Sequence, residues 1–218
     1  MPALPTPMPP HLRATRIGAS ALALATAALL AALLAACASP SPAPVLLTLP
    51  PAAPAAAVPP AAPASAPVLA VRRVAIPEYL VARRVRYRAD ASTLAEWPNT
   101  YWAERIEIAV TREFVSALRA QLPGWSLCDV SCGDHVAARA LQVELVPMDY
   151  LRASQQLRAR ARITLSDGGA APRVIASQEL PYELPAGGDS AQAQAQAIAE
   201  LVRRVAAAAG PMVLAGAP

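Results

Sequence analysis

The stretch Leu157-Arg158-Ala159-Arg160-Ala161-Arg162-Ile163-Thr164-Leu165 decides the fold, because apolar residues alternate in it with polar ones. Successive side chains of a strand point to opposite faces, so this pattern predicts a strand with one buried and one charged face. Residues 141–146 alternate in the same way, and residues 173–184 form a third strand after the turn at 167–169. The sequence therefore predicts an antiparallel meander with one polar face.

A first amphipathic helix precedes the meander. Apolar residues recur at every fourth position from Trp102 to Leu122, which is typical of a helix that buries one stripe. Asn99 or Thr100 is the predicted N-cap, and Pro123-Gly124 is the predicted stop.

A second helix follows the meander, with Asp189 or Ser190 as its cap and Gly210-Pro211 as its stop. Shorter strands are predicted at 68–76, 79–88 and 125–128. Together these elements predict an α+β fold, a mostly antiparallel sheet with two amphipathic helices packed on one face.

The composition excludes some classes of function. The 218 residues include 19 basic residues, all arginine, and 15 acidic ones. Residues 1–36 hold two of the arginines and no acid, so removing them leaves 17 basic and 15 acidic groups. A chain with so nearly balanced a charge lacks the clustered basic face of a nucleic-acid-binding protein, so no nucleic-acid partner is expected.

Residues 1–36 have the parts of a lipoprotein signal peptide: a basic start, an uncharged apolar run and small residues before Cys37. The run approaches the ~20 residues of a membrane-spanning helix, which is the competing interpretation. Leu34-Ala35-Ala36-Cys37 resembles the bacterial lipobox, in which the cysteine is acylated with chains such as palmitate. Ala38 is not the aspartate associated with inner-membrane retention. We therefore expect a lipid on Cys37 and an outer-membrane location facing the periplasm.

Residues 38–67 are mostly Pro, Ala and Ser, interrupted by the β-favouring run 45–49. If that run is unpaired, about 30 residues form a tether of ~90 Å. If it docks as a first strand, residues 37–44 are a tether of about 20 Å and residues 50–67 become a flexible Pro/Ala-rich loop. We favour the second arrangement, with a domain at 45–210 and a disordered tail at 211–218.

Three short segments, 76–80, 86–88 and 102–104, carry a family resemblance. The chain resembles the ABC-type transport auxiliary lipoproteins, the PqiC-like components of envelope transport systems. Val81-Ala82-Arg83 replaces a frequent Asp-Arg-Pro of that family, and Leu47 replaces a usual aromatic residue. The residues that match the family motifs are Pro77, Tyr79, Leu80, Trp102, Ala103 and Glu104.

The resemblance implies a non-enzymatic subunit of an intermembrane transport system for lipids or hydrophobic solutes, without a cofactor. Its partners would be an MCE-domain protein that spans the periplasm and the bilayer that holds the acylated Cys37. An open sheet edge beside residues 45–49 would also permit a homo-oligomer. The alternative function is a structural or assembly lipoprotein that supports insertion of an outer-membrane component.

The remaining residues offer little chemistry. Cys128 and Cys132 are expected to form a disulfide in the oxidising periplasm, although free thiols or a metal site with His135 are alternatives. No motif that activates a nucleophile is present, so we do not expect an enzyme. We expect no metal either, because Cys128, Cys132 and His135 supply only three donors and no further His or Cys pair completes a tetrahedral set. Trp102 and Phe114 are interpreted as core, whereas Trp97 and Tyr101 are candidates for a partner surface.

Overall fold

A computed structural model of the chain describes residues 42–51, 63, 65–129, 132–133, 135–169 and 171–215. The predicted signal peptide, Cys37 and most of the Pro/Ala-rich loop lie outside the described residues. The elements are β1 (Val45–Leu47), β2 (Val68–Val71), β3 (Arg84–Arg88), β4 (Leu94–Trp102), α1 (Ile106–Gln121), β5 (Ser126–Asp129), β6 (Arg139–Leu151), β7 (Gln156–Asp167), β8 (Val174–Pro185) and α2 (Ala191–Ala215). Short 3₁₀ turns lie at Glu78–Leu80 and Arg152–Ser154.

The described strands form one mixed sheet of eight strands. β6 pairs along its length with β7, and its other edge pairs with β2 near one end and β3 near the other. β4 and β1 continue beyond β3, β5 lies beyond β2, and β8 lies beyond β7.

The α+β class is confirmed, and so is the antiparallel meander of β6, β7 and β8. The expectation of a mostly antiparallel sheet is wrong. Four of the seven neighbouring pairs of described strands are parallel: β1–β4, β2–β5, β2–β6 and β3–β6. Parallel neighbours are joined by long connections, so no local turn signal announces them.

The alternation in β6 and β7 separates a buried face from a charged one. Leu141, Ile163 and Leu165 are fully buried. α1 and α2 pack against each other, and α2 packs against β7 and β8, so the predicted helices cover the apolar face. On the other face, Arg158 and Arg162 of β7 form exposed ion pairs with Glu183 and Glu179 of β8.

The start of α1 differs from the prediction. The helix begins at Ile106, and Trp102 is the last residue of β4. Pro98 and Asn99 resemble a helix boundary in the sequence, and Asn99 has a positive φ of 50°. The residues on both sides of them pair with β1 and β3, so the segment is part of a strand. The predicted stop is confirmed, since α1 ends at Gln121.

The start of α2 agrees with the prediction, whereas its end does not. The N–H of Ala193 donates to Ser190 Oγ at 3.1 Å, which is the N-cap bond. The helix continues through Pro211 to Ala215, so the predicted stop is wrong, as is the disordered tail for residues 211–215. A Cβ at Gly210 would lie 3.0 Å from the Cβ of Gln121. Gly210 therefore allows close packing of α2 on α1, and Val213, beyond the predicted stop, is fully buried.

The favoured placement of residues 45–49 is confirmed at its first three positions. β1 pairs in parallel with β4, with Leu46 opposite Tyr101. The N–H of Ala103 donates to the carbonyl of Leu47 at 2.7 Å and closes this contact.

We predict that Gly168→Ala destabilises the fold, because a Cβ there would lie 1.6 Å from the carbonyl oxygen of Ala137. Relieving that overlap requires the backbone to move, and we expect a cost of about 1–3 kcal/mol, visible as a lower Tm. Gly169→Ala is the matched control, since the nearest atom to its Cβ would be Asp167 Oδ1 at 3.9 Å. Equal melting temperatures for the two variants would contradict the close approach.

Candidate functional site

Tyr79 of the motif segment ties the turn at Glu78–Leu80 to the sheet. Its hydroxyl donates to Asp149 Oδ1 at 2.8 Å, and Arg88 pairs with the same carboxylate, Nε to Oδ2, at 3.1 Å. The Arg88 guanidinium also lies 5.7 Å from the centroid of the Tyr79 ring. Burial, followed by the bond to Asp149, raises the pKa of Tyr79 above its ordinary value. This motif tyrosine therefore links β3 and β6 as part of the structure.

A second network surrounds Trp97. The indole Nε1–H donates to Gln194 Oε1 at 2.7 Å, and Gln194 Nε2 donates to the carbonyl of Arg86 at 2.7 Å. The guanidinium of Arg152 lies 4.6 Å from the centroid of the Trp97 ring and donates to the Tyr87 hydroxyl at 2.7 Å. The interpretation of Trp97 as a partner surface is wrong, because β4 turns it inward and leaves it 7% exposed.

The motif Trp102-Ala103-Glu104 borders a surface cavity of about 350 Å³. The N–H of Trp102 donates to the carbonyl of Arg83 at 2.8 Å, which holds residues 81–83 beside the motif. The cavity therefore joins the Trp-Ala-Glu motif to the segment that departs from the family pattern. Its lining residues are Val81, Ala82, Arg83, Trp102, Ala103, Glu104 and Arg105.

The three charged residues that line this cavity, Arg83, Glu104 and Arg105, differ in their partners. Glu104 accepts two hydrogen bonds from Arg112 Nη1, at 2.8 and 2.7 Å. Arg105 pairs with Glu107, which is buried in the first turn of α1. The exposed guanidinium of Arg83 has no hydrogen bond or ion pair within the described part of the chain. Arg83 is therefore the cation at this cavity that is available to an acidic group from outside.

The other sequence candidates lie elsewhere. Cys128, in β5, is joined to Cys132 by a disulfide, with the two Cα atoms 5.2 Å apart. Within the described ranges, no group of three or more His, Cys, Asp or Glu side chains is placed to hold a metal. Trp102 and Phe114 are 5% and 1% exposed, which confirms their interpretation as core.

Pro77, Leu80 and the helices add no further chemistry to the site. Pro77 is buried before the 3₁₀ turn, and Leu80 is half-buried and packs against the core.

Neither α1 nor α2 combines the length and apolar character that crossing a bilayer requires.

Comparison with known proteins identifies a family and a fold. The model of a family described as ABC-type transport auxiliary lipoprotein component matches residues 47–209, which confirms the resemblance found in the sequence. No curated protein matches the chain.

Two solved structures have a similar fold. A crystal structure of an uncharacterized protein is 18% identical, with a TM-score of 0.63 over 79% of this chain and 99% of that one. A crystal structure of a Xanthomonas campestris protein of family DUF330 is 17% identical, with a TM-score of 0.56 over 80% of this chain and 94% of that one. At these identities the likeness shows the fold alone.

We predict that Tyr79→Phe lowers the free energy of unfolding by about 1 kcal/mol at neutral pH, because the bond to Asp149 is lost. The raised pKa of Tyr79 means that the unfolded chain ionises first at alkaline pH. The contribution of Tyr79 to the free energy of unfolding is thus complete below pH ~10, the ordinary pKa of tyrosine. It is lost as the pH rises above that value. Denaturant unfolding at several pH values should therefore show the difference between wild type and variant shrinking through that range.

Tyr101→Phe is the control for this experiment. The Tyr101 hydroxyl has no hydrogen bond to any described residue, so this variant should unfold like wild type at neutral pH. A Tyr79→Phe difference that stays constant through alkaline pH would refute the assignment.

Proposed function

Because the chain belongs to the ABC-type transport auxiliary lipoprotein component family, we propose that it is an outer-membrane-anchored subunit of an intermembrane transport system. It acts by binding and docking rather than by catalysis, and it needs no cofactor. Its protein partner is the periplasm-spanning MCE-domain protein of that system, which moves lipids or other hydrophobic solutes.

The observation that carries this proposal is the cavity bordered by the Trp-Ala-Glu motif. A family motif that lines a surface cavity is placed where a partner could reach it. Arg83 supplies an unpaired planar cation there, and guanidinium groups are favoured for bidentate contact with carboxylates. An acidic group of the MCE-domain protein, seated against Arg83 and the rim of the cavity, fits this arrangement.

The lipobox supports the anchoring half of the proposal. Acylation of Cys37 fixes the chain to a membrane, and seven residues, 38–44, separate that cysteine from β1. Several acyl chains anchor a protein firmly, whereas a single chain binds only marginally.

We predict that Cys37→Ser abolishes acylation and removes the protein from the outer-membrane fraction. Without the thiol no thioether forms, so the chain keeps its signal peptide or stays in another fraction. The measurement is mass spectrometry of the N-terminal peptide together with density-gradient separation of the two membranes. Cys128→Ser combined with Cys132→Ser is the control and should leave the location unchanged. An unmodified Cys37 in the wild-type chain would refute the anchor.

We predict that Arg83→Glu reduces co-purification of the MCE-domain protein by about tenfold or more, the effect of losing one charge-assisted contact. The wild-type chain, tagged at its C-terminus and expressed at its native level, should recover that protein from solubilised membranes.

Arg73→Glu is the matched control for the interaction. Arg73 is also exposed, has no side-chain partner in the described part of the chain and does not line the cavity. It should recover the partner as wild type does. Circular dichroism verifies that both variants fold. Recovery of no MCE-domain protein by the wild-type chain would overturn the proposal, and equal recovery by Arg83→Glu would exclude this cavity.

A further inference from the structure

We propose that the outer surface at the β1 end of the sheet docks directly on a lipid bilayer that carries anionic headgroups. The inference rests on the proposed acylation of Cys37 and goes beyond it, because an anchor alone does not orient the domain. The surface, here called the β1 face, consists of Leu46, Tyr101 and Arg84.

The sheet register brings the β1 face together. Leu46 lies opposite Tyr101 in the parallel pair β1–β4, and Tyr101 lies opposite Arg84 in the antiparallel pair β3–β4. Paired residues of neighbouring strands project to the same side, so these three form a row across the sheet. The core lies on the opposite side, where the adjacent residues Trp102 and Val85 are buried.

The row combines the side-chain types that suit a membrane surface. Leu46 is 56% exposed, although it is an aliphatic residue of a strand. The Arg84 guanidinium lies 5.2 Å from the centroid of the Tyr101 ring. Tyrosine is enriched at the bilayer interface, and arginine can lay its stem on apolar surface while its head meets phosphate.

The charge near the β1 face favours anionic lipid. Arg84 shares Glu96 with Arg86, at 3.3 and 3.2 Å, so two cations meet one carboxylate. Basic groups close to a membrane are attracted to anionic headgroups over about a Debye length.

The chain itself argues for a bilayer as the occupant. With seven residues between Cys37 and Val45, a fully extended chain reaches at most about 28 Å from Cα to Cα. β8, at the other end of the path β1-β4-β3-β6-β7-β8, lies five strand spacings from β1, or about 24 Å. β1 is the first described strand after Cys37, so fewer residues join it to the lipid than join any other described strand.

The test uses the full acylated chain in vesicles of phosphatidylethanolamine and phosphatidylglycerol, with a nitroxide attached at Leu46→Cys. Relaxation of the nitroxide is measured with oxygen, which concentrates in the bilayer, and with a nickel chelate, which stays in water. We expect the ratio of oxygen to nickel accessibility at position 46 to be several-fold higher than at the control. The unsubstituted chain should take up no label, since Cys37 is acylated and the other two cysteines are joined.

Val174→Cys is the matched control. Val174 is also an exposed aliphatic residue in a strand, 65% exposed, and it opens β8 at the opposite end of that path. Should Leu46→Cys fail to fold, as judged by circular dichroism, Tyr101→Cys gives a second label position in the same row.

The outcomes separate the occupants of the β1 face. High nickel accessibility at position 46 would show water there and overturn docking. Low accessibility to both reagents would indicate contact with a protein, including a second copy of this chain, and would also overturn it. Mass spectrometry of Cys37 in the same sample distinguishes the two proposals, because an acylated Cys37 with a water-exposed position 46 defeats docking and leaves the anchor intact.

Discussion

Burial of one face of β6 and β7 under the two helices is the constraint on which the rest of the structure depends. Each fully buried aliphatic side chain on that face contributes about 1.5–3 kcal/mol, an upper bound set by the reference state of the unfolded chain. The ion pairs on the opposite face are exposed, and pairs of that kind contribute little to stability. These ion pairs keep the face that the helices do not cover hydrated. Burial of the apolar face determines where the helices pack. Because β7 occupies one whole edge of β6, the segments before α1 must attach along the other edge.

The elements that could be predicted from the sequence are those in which apolar residues recur at a short, regular spacing. The alternation in residues 157–165 predicted β7, the fourfold recurrence predicted α1, and Ser190 predicted the start of α2. Strand β4 was missed because Pro98 and Asn99 resemble a helix boundary, while the pairings that make it a strand come from β1 and β3. The end of α2 was misjudged because Gly210 serves its contact with Gln121 and does not cap the helix.

The candidate site was predictable in its motifs but not in its geometry. Two of the motif residues, Tyr79 and Trp102, are explained by structure, since Tyr79 bonds Asp149 and Trp102 is buried at the end of β4. The accessible part of the pattern is exposed Ala103 with half-buried Glu104, and these two residues form a cavity only together with residues 81–83 and 105. That proximity depends on the hydrogen bond from Trp102 to Arg83, a long-range contact that spacing in the sequence does not reveal. Short motifs thus identify the fold from the sequence, but the surface that they form can be recognised only in the folded structure.

The two ends of the path from β1 to β8 bear on how a partner can bind. Among the described strands β8 pairs with β7 alone, but Pro181 and Pro185 remove backbone donors from it, and Glu179 and Glu183 add charge. Both features discourage the addition of a strand from another chain. β1 is only three residues long and offers little backbone to pair with. Because neither end of this path is built for strand addition, binding through side chains accounts better for a docking role at β1 or β8. The cavity at Arg83 and the β1 face provide such side chains on neighbouring parts of the surface, one suited to an acidic protein group and the other to lipid.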